Sequence, residues 1–125
     1  MLDNLDILLI EDDDQVRKLL CMILTRGGYN VIEARNGEEG VRKYYDHPYP
    51  VVITDLVMPE KEGIETIREI KNYYKQVKII AISGGGRVTS RDYLDFAEGV
   101  GADYSFSKPV DHERLLAVLE ECFQA

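Results

Sequence analysis

The sequence predicts a doubly wound α/β domain: a parallel sheet of five strands with helices on both faces. Three observations carry that expectation. Short apolar or β-branched runs, each too brief for a helix, recur along the chain. Stretches with apolar residues at helical spacing separate them. Glycine, proline and asparagine stand at the junctions. Strands joined by helical crossovers must run parallel, and the crossovers are right-handed.

Ile7 to Ile10 suits a strand buried on both faces. Val16, Leu19, Leu20, Ile23 and Leu24 then mark one face of a helix, which Gly27-Gly28 ends. Asn30 to Ala34 reads as the second strand and Asn36-Gly37 as a turn. Glu38 to Tyr45 follows as a short helix with Val41 and Tyr44 inward. Past Pro48 and Pro50, Val51-Val52-Ile53 forms a third strand that ends at Thr54-Asp55. Met58-Pro59 starts a loop that Gly63 closes, and Ile64, Ile67 and Ile70 mark the third helix. Lys78 to Ser83 carries the fourth strand, and Gly84-Gly85-Gly86 reads as a flexible loop. Tyr93, Phe96, Ala97 and Val100 space out a fourth helix. Tyr104 to Phe106 is a brief fifth strand before Lys108-Pro109. Asp111 is placed to cap the last helix, in which Leu115, Leu116, Leu119 and Phe123 face inward.

A length of 125 residues fits one domain, expected to cover 1–125. With 45% apolar and 30% charged residues the chain reads as globular. No apolar run approaches the roughly 20 residues that span a bilayer, and no secretory signal opens the sequence. A cytoplasmic location, away from membranes, is therefore expected, with Cys21 and Cys122 as free thiols on helices. The net charge of −8 repels phosphate backbones, so the chain alone is not expected to bind nucleic acid. His47 and His112 show no partner pattern and are expected at the surface.

In an open parallel sheet the functional site lies at the carboxyl ends of the strands. Glu11, Asp12 and Asp13 follow the first strand, Asp55 ends the third, Ser83 ends the fourth, and Lys108 lies just past the fifth. Strand ends thus collect carboxylates, a hydroxyl and an amine from distant parts of the sequence. Two unit charges about 4 Å apart repel by roughly 4 kcal/mol at an effective dielectric near 20, so the cluster needs protons, a cation or an ammonium. All-oxygen ligands with an open side point to Mg²⁺, for which Mn²⁺ can substitute. Beside such a cation and Lys108, Asp55 stays ionised and can attack a phosphoryl donor to give an acyl phosphate.

Taken together, these residues resemble the receiver domain of bacterial two-component response regulators, of the single-domain chemotaxis kind, over the whole chain. The matching pieces are Ile10-Glu11-Asp12-Asp13, Asp55-Leu56-Val57-Met58-Pro59 with Gly63, Ser83-Gly84, and Lys108-Pro109, in order and each at a strand end. The resemblance implies the flavodoxin-like strand order 2-1-3-4-5, for which a receiver is itself a stock example. It implies Asp55 as phosphoacceptor, Asp12 as a direct Mg²⁺ ligand, Glu11 as an acidic residue acting partly through water, and the backbone carbonyl of Val57 as a further ligand. It makes Ser83 the switch hydroxyl, Lys108 its ion-pair partner and the Lys108-Pro109 peptide cis. Asp13 is left a capping or supporting role. The family often has an aromatic three residues before the lysine. Here Ser105 stands there, and strand alternation turns its neighbours Tyr104 and Phe106 to the other face.

The resemblance also implies partners: a sensor histidine kinase or histidine phosphotransfer protein as donor, and an unidentified downstream protein that reads the surface of the fourth helix, fifth strand and fifth helix. The chain is then a phosphoacceptor that catalyses only its own phosphorylation and dephosphorylation, not an enzyme. Val57 and Gly85 border the path of the attacking water and are expected to tune the lifetime of the phosphorylated state.

Plainer readings compete. Asp13 and Asp14 suit a helix N-terminus, but that does not explain Glu11-Asp12 directly after an apolar strand. Asp55 alone would pass as a turn residue, Ser83 as loop chemistry and Lys108 as a solvated lysine. The glycine run lacks the lysine of a phosphate-cradling loop. A haloacid-dehalogenase-type phosphatase would also use a strand-end aspartate, Mg²⁺ and a lysine. It needs a second aspartate two places later, where Val57 stands. A receiver that works without phosphate is the third reading, which Ser105 favours and the intact acidic and lysine positions oppose.

Overall fold

The computed structural model describes residues 5–56, 63–84, 95 and 97–124. The chain runs β1 (Asp6–Ile10), α1 (Asp14–Arg26), β2 (Asn30–Ala34), α2 (Gly37–Asp46), β3 (Val51–Asp55), α3 (Gly63–Tyr73) and β4 (Lys78–Ser83). Helical residues 95 and 97–100 stand as α4. Then come β5 (Tyr104–Ser107) and α5 (His112–Gln124). All strand pairings are parallel, and the order across the sheet is β2-β1-β3-β4-β5. The expected flavodoxin-like arrangement is therefore the one the chain adopts.

Alternation along the strands builds two cores. Leu8 and Ile10, Val52, Ile79 and Ala81 pack on one face with Val41 and Tyr44 of α2, Ile67 and Ile70 of α3, and Ala97 of α4. Ile7 and Leu9, Val51 and Ile53, Ile80 and Ile82, and Phe106 pack on the other with Leu20 and Leu24 of α1 and Leu115, Val118 and Leu119 of α5. Cys122 lies within this second core and Cys21 packs against it, both as free thiols.

Local chemistry sets the helix ends. The Asp13 carboxylate accepts from the amides of Gln15 and Val16, at 2.9 and 3.2 Å, and caps α1. Asn36 caps α2 through the Glu39 amide, so this helix starts one residue earlier than its spacing predicted. Asp111 accepts from the Arg114 amide at the start of α5, as expected. The left-handed residue after α1 is Gly28, at φ +97°, with Gly27 still right-handed.

One expected core face is rotated. Leu19 is 45% exposed, and the buried stripe of α1 is Arg17, Leu20 and Leu24. The apolar spacing missed this because Arg17, a charged residue, occupies the inward position beside β1 and β2. Tyr93, Phe96, Met58 and Pro59 lie outside the described residues.

Candidate functional site

Glu11 directly follows β1, and its amide donates to the Ala34 carbonyl at 3.0 Å, which continues the β1–β2 ladder. Its side chain is 1% exposed. One carboxylate oxygen, Oε2, accepts from the Asp13 amide at 3.2 Å. Asp12 beside it is exposed. Asp55 closes β3 opposite Ile82 of β4, one step past the Ile10–Thr54 pair with β1, and is 4% exposed. Its Oδ1 accepts from the Leu56 amide at 2.9 Å. The Leu56 amide also approaches the Ile82 carbonyl at 2.9 Å, so the chain beyond Asp55 stays tied to β4.

Lys108 reaches this pair from beyond β5. Its Nζ stands 3.0 Å from Glu11 Oε1 and 3.6 Å from Asp55 Oδ2. The Lys108 amide donates to the Ser83 carbonyl at 2.9 Å, and the following peptide to Pro109 is cis, as the resemblance implied. The Lys108–Glu11 contact is one of charge without hydrogen-bond alignment. Glu11 Oε1 is left as a buried oxygen with no hydrogen-bond donor among the described residues.

One carboxylate oxygen each from Glu11, Asp12 and Asp55 lies within 4.8 Å of the others. Burial and the neighbouring Glu11 charge, opposed by Lys108, push the Asp55 carboxyl up to about 7. Burial likewise raises Glu11, although Lys108 pulls the other way. Desolvation works against the Lys108 ammonium, but the carboxylates of Asp55 and Glu11 win and its pKa is raised. An undonated buried oxygen, three converging carboxylates and an all-oxygen donor set together form a site that a hard cation fits.

Gly63 completes the frame. A Cβ there would stand 2.3 Å from the Asp55 carbonyl oxygen and 2.5 Å from Leu56 Cα, so α3 can start this close to β3 only with glycine. Its amide donates to the Leu56 carbonyl at 2.9 Å.

Of the residues singled out in the sequence, Glu11, Asp12, Asp55 and Lys108 converge. Ser83 sits buried at the end of β4, one register step past the partner of Asp55, and its hydroxyl donates to the Gly84 carbonyl at 3.2 Å. Val57 and Gly85 lie outside the described residues. Ser105 faces α4, donating to Glu98 Oε2 at 2.6 Å, while Tyr104 and Phe106 join the opposite core. His47 is exposed, as expected, but pairs with Asp6 at 3.0 Å and meets Tyr49 edge-on.

Arg17 was not found from sequence. It is 8% exposed and donates to the Glu11 carbonyl at 3.0 Å, while its guanidinium also pairs with Asp14 and, at 3.1 Å, with Glu33. The signal was available: Arg17 falls three places before Leu20 and seven before Leu24, on the buried stripe.

The family model for the response regulator receiver domain matches residues 7–120. The chain belongs to that family. Receiver domains of two-component response regulators act in phosphorylation-dependent signalling, and that is the class of function of this chain. Among curated proteins it is similar to the transcriptional regulatory protein SrrA of Staphylococcus aureus strain NCTC 8325, 34% identical over 106 residues. That match covers 83% of this chain and 42% of SrrA, so the receiver spans well under half of that relative. Among solved structures, a response regulator receiver domain protein from Clostridium thermocellum is 28% identical with a TM-score of 0.87, covering 95% of this chain and 94% of that one. A CheY-like receiver domain protein from Methanospirillum hungatei JF-1 is 26% identical with a TM-score of 0.86, covering 95% and 93%. No helix among the described residues of this receiver is long and apolar enough to cross a membrane.

Proposed function

We propose that this receiver takes a phosphoryl group on Asp55, from the phosphohistidine of a sensor histidine kinase or histidine phosphotransfer protein. The observation that carries the reading is the convergence of Glu11, Asp12 and Asp55 with Lys108 at the carboxyl end of the sheet. Asp12 and Asp55 would hold Mg²⁺ or Mn²⁺, with Glu11 acting through water and the Val57 carbonyl as a further ligand. When bound, the cation neutralises phosphoryl oxygens and keeps the site's carboxylates ionised. A carboxylate oxygen of Asp55 attacks phosphorus. A P–O bond forms as the P–N bond breaks, and the electron pair stays on the imidazole nitrogen, which takes up a proton from solvent. Lys108 offsets charge on the transferred group. The Ser83 hydroxyl exchanges the Gly84 carbonyl for a phosphoryl oxygen.

The donor has to dock against the site. A groove of about 340 Å³ runs beside Lys108, lined by Val16, Leu19, Leu20, Pro109, Val110 and His112. Its apolar walls and exposed Leu19 suit a protein partner. A larger cleft, about 790 Å³, is lined by Pro50 and Lys78 at the opposite end of the strands and has no part in this chemistry. Phosphorylation then biases the surface formed by α4, β5 and α5, which a downstream protein reads. The net charge of −8 disfavours nucleic acid as a direct partner of these residues. We place the receiver over 1–125, in the cytoplasm, as a phosphoacceptor that acts on no substrate but itself.

Intact mass after incubation with Mg²⁺ and acetyl phosphate tests the reading. A phosphoryl-sized gain that requires Mg²⁺ and is absent from Asp55→Asn is expected. Donor consumption with no adduct on any residue, together with hydrolysis of unrelated phosphate monoesters, would replace it with a phosphatase.

A further inference from the structure

Arg17 stands out as a buried cation with a use that charge balance does not explain. It sits next to an acidic site yet directs a hydrogen bond at the Glu11 backbone carbonyl, not at a site carboxylate. Its remaining donors go to Asp14, in the first turn of α1, and Glu33 of β2. The planar fork thereby joins three pieces of chain around the β1–α1 turn that carries Glu11 and Asp12. The Asp13 cap and the Glu11–Asp13 contact fix the same turn from its other side. Lys108 is the cation that meets the carboxylates themselves.

We infer that Arg17 is a positioning residue for the metal site: it locks the backbone between β1 and α1 so that the Glu11 and Asp12 carboxylates face Asp55, and leaves those carboxylates free for the cation. The inference rests on the Mg²⁺-dependent reading of the site. It assigns to a helix residue that touches neither metal nor phosphoryl group a share of the metal affinity.

The sign of the effect separates geometry from electrostatics. Removing a nearby positive charge would, by Coulomb's law alone, strengthen Mg²⁺ binding. Loss of a group that orients metal ligands typically weakens it by about 10- to 100-fold. Mg²⁺ titration by calorimetry, at a temperature where circular dichroism shows each protein folded, decides between them. Arg17→Met is expected to bind at least about tenfold more weakly than the unaltered chain. Arg17→Lys, which keeps the charge and loses the fork, is expected to stay several-fold weak. With acetyl phosphate, both variants should phosphorylate slowly at low Mg²⁺ and recover at saturating Mg²⁺. Unchanged or tighter Mg²⁺ binding in folded Arg17→Met, full affinity in Arg17→Lys, or a rate deficit that persists at saturation would each overturn the assignment. Should Arg17→Met fail to fold, Arg17→Lys decides alone: it keeps the charge, so electrostatics predicts no change, and several-fold weaker Mg²⁺ binding supports the inference while full affinity overturns it. An unaltered chain that binds no Mg²⁺ would instead remove the metal-site reading beneath it.

Discussion

Asp55 is held in a state that costs the empty fold stability. Its carboxyl is raised from 3.8 to about 7 by burial and by Glu11. Between those values the folded chain keeps a proton that the unfolded chain has released. By linkage, stability without metal falls as pH rises from about 4 to about 7, and then levels off for this group. Asp55→Asn removes the buried charge while keeping the shape. Urea denaturation at pH 8 in EDTA is expected to show the variant more stable by on the order of 1–3 kcal/mol, with a flatter pH slope below 7. A variant less stable than the parent at pH 8 would contradict the strained-carboxylate account. Lys108 carries the complementary duty. Lys108→Met leaves Glu11 Oε1 without its ammonium neighbour and is expected to slow acyl phosphate formation by about a hundredfold, read by mass against time at saturating Mg²⁺. An unchanged rate would show that the ammonium is structural only.

Between elements, the decisive contact is α3 against the end of β3. Gly63→Ala puts a methyl group into the Asp55 carbonyl and Leu56 Cα, both backbone, so the helix or the strand end must move. A stability loss of about 1–3 kcal/mol is expected in urea, together with weaker Mg²⁺ binding because Asp55 shifts. A stability loss with full Mg²⁺ affinity would confine the strain to α3. The elements are also where sequence reading succeeded and failed. Strands β1, β3 and β4 are buried on both faces and flanked by glycine, proline or acidic residues, so their runs and their polar endings were plain. Glu11, Asp12, Asp55 and Lys108 could be placed because strand ends are fixed by the fold itself. Arg17 and the exposure of Leu19 were missed although Arg17 falls on the spacing of Leu20 and Leu24, because a periodicity sorted by polarity sends a charged residue outward. A buried guanidinium with three oxygen partners reads as polar and is assigned to the wrong side. The turn to Glu98 at Ser105 was hidden too, since a hydrogen bond between elements leaves no local pattern.

For the whole molecule, the proposed site couples folding to metal binding. The acidic cluster exists only when β1 and β3 are paired, so on that proposal Mg²⁺ binds the folded chain and not the unfolded one. At 100 times its dissociation constant the cation is expected to add about 2.7 kcal/mol, a rise in Tm on the order of 10 °C that EDTA reverses. A Tm indifferent to Mg²⁺ would show that no such site assembles. At the far edge of the sheet, Ser105 binds Glu98, its carbonyl accepts from Arg114 at 3.2 Å, and Arg114 lies over the Phe106 ring at 4.1 Å. A hydroxymethyl group sweeps almost no volume when it turns. On the proposed function, a message that leaves through Ser105 is therefore written in which polar groups are paired and which are bare. A partner that recognises it has to sense charge at close range, and its grip should loosen as salt is added.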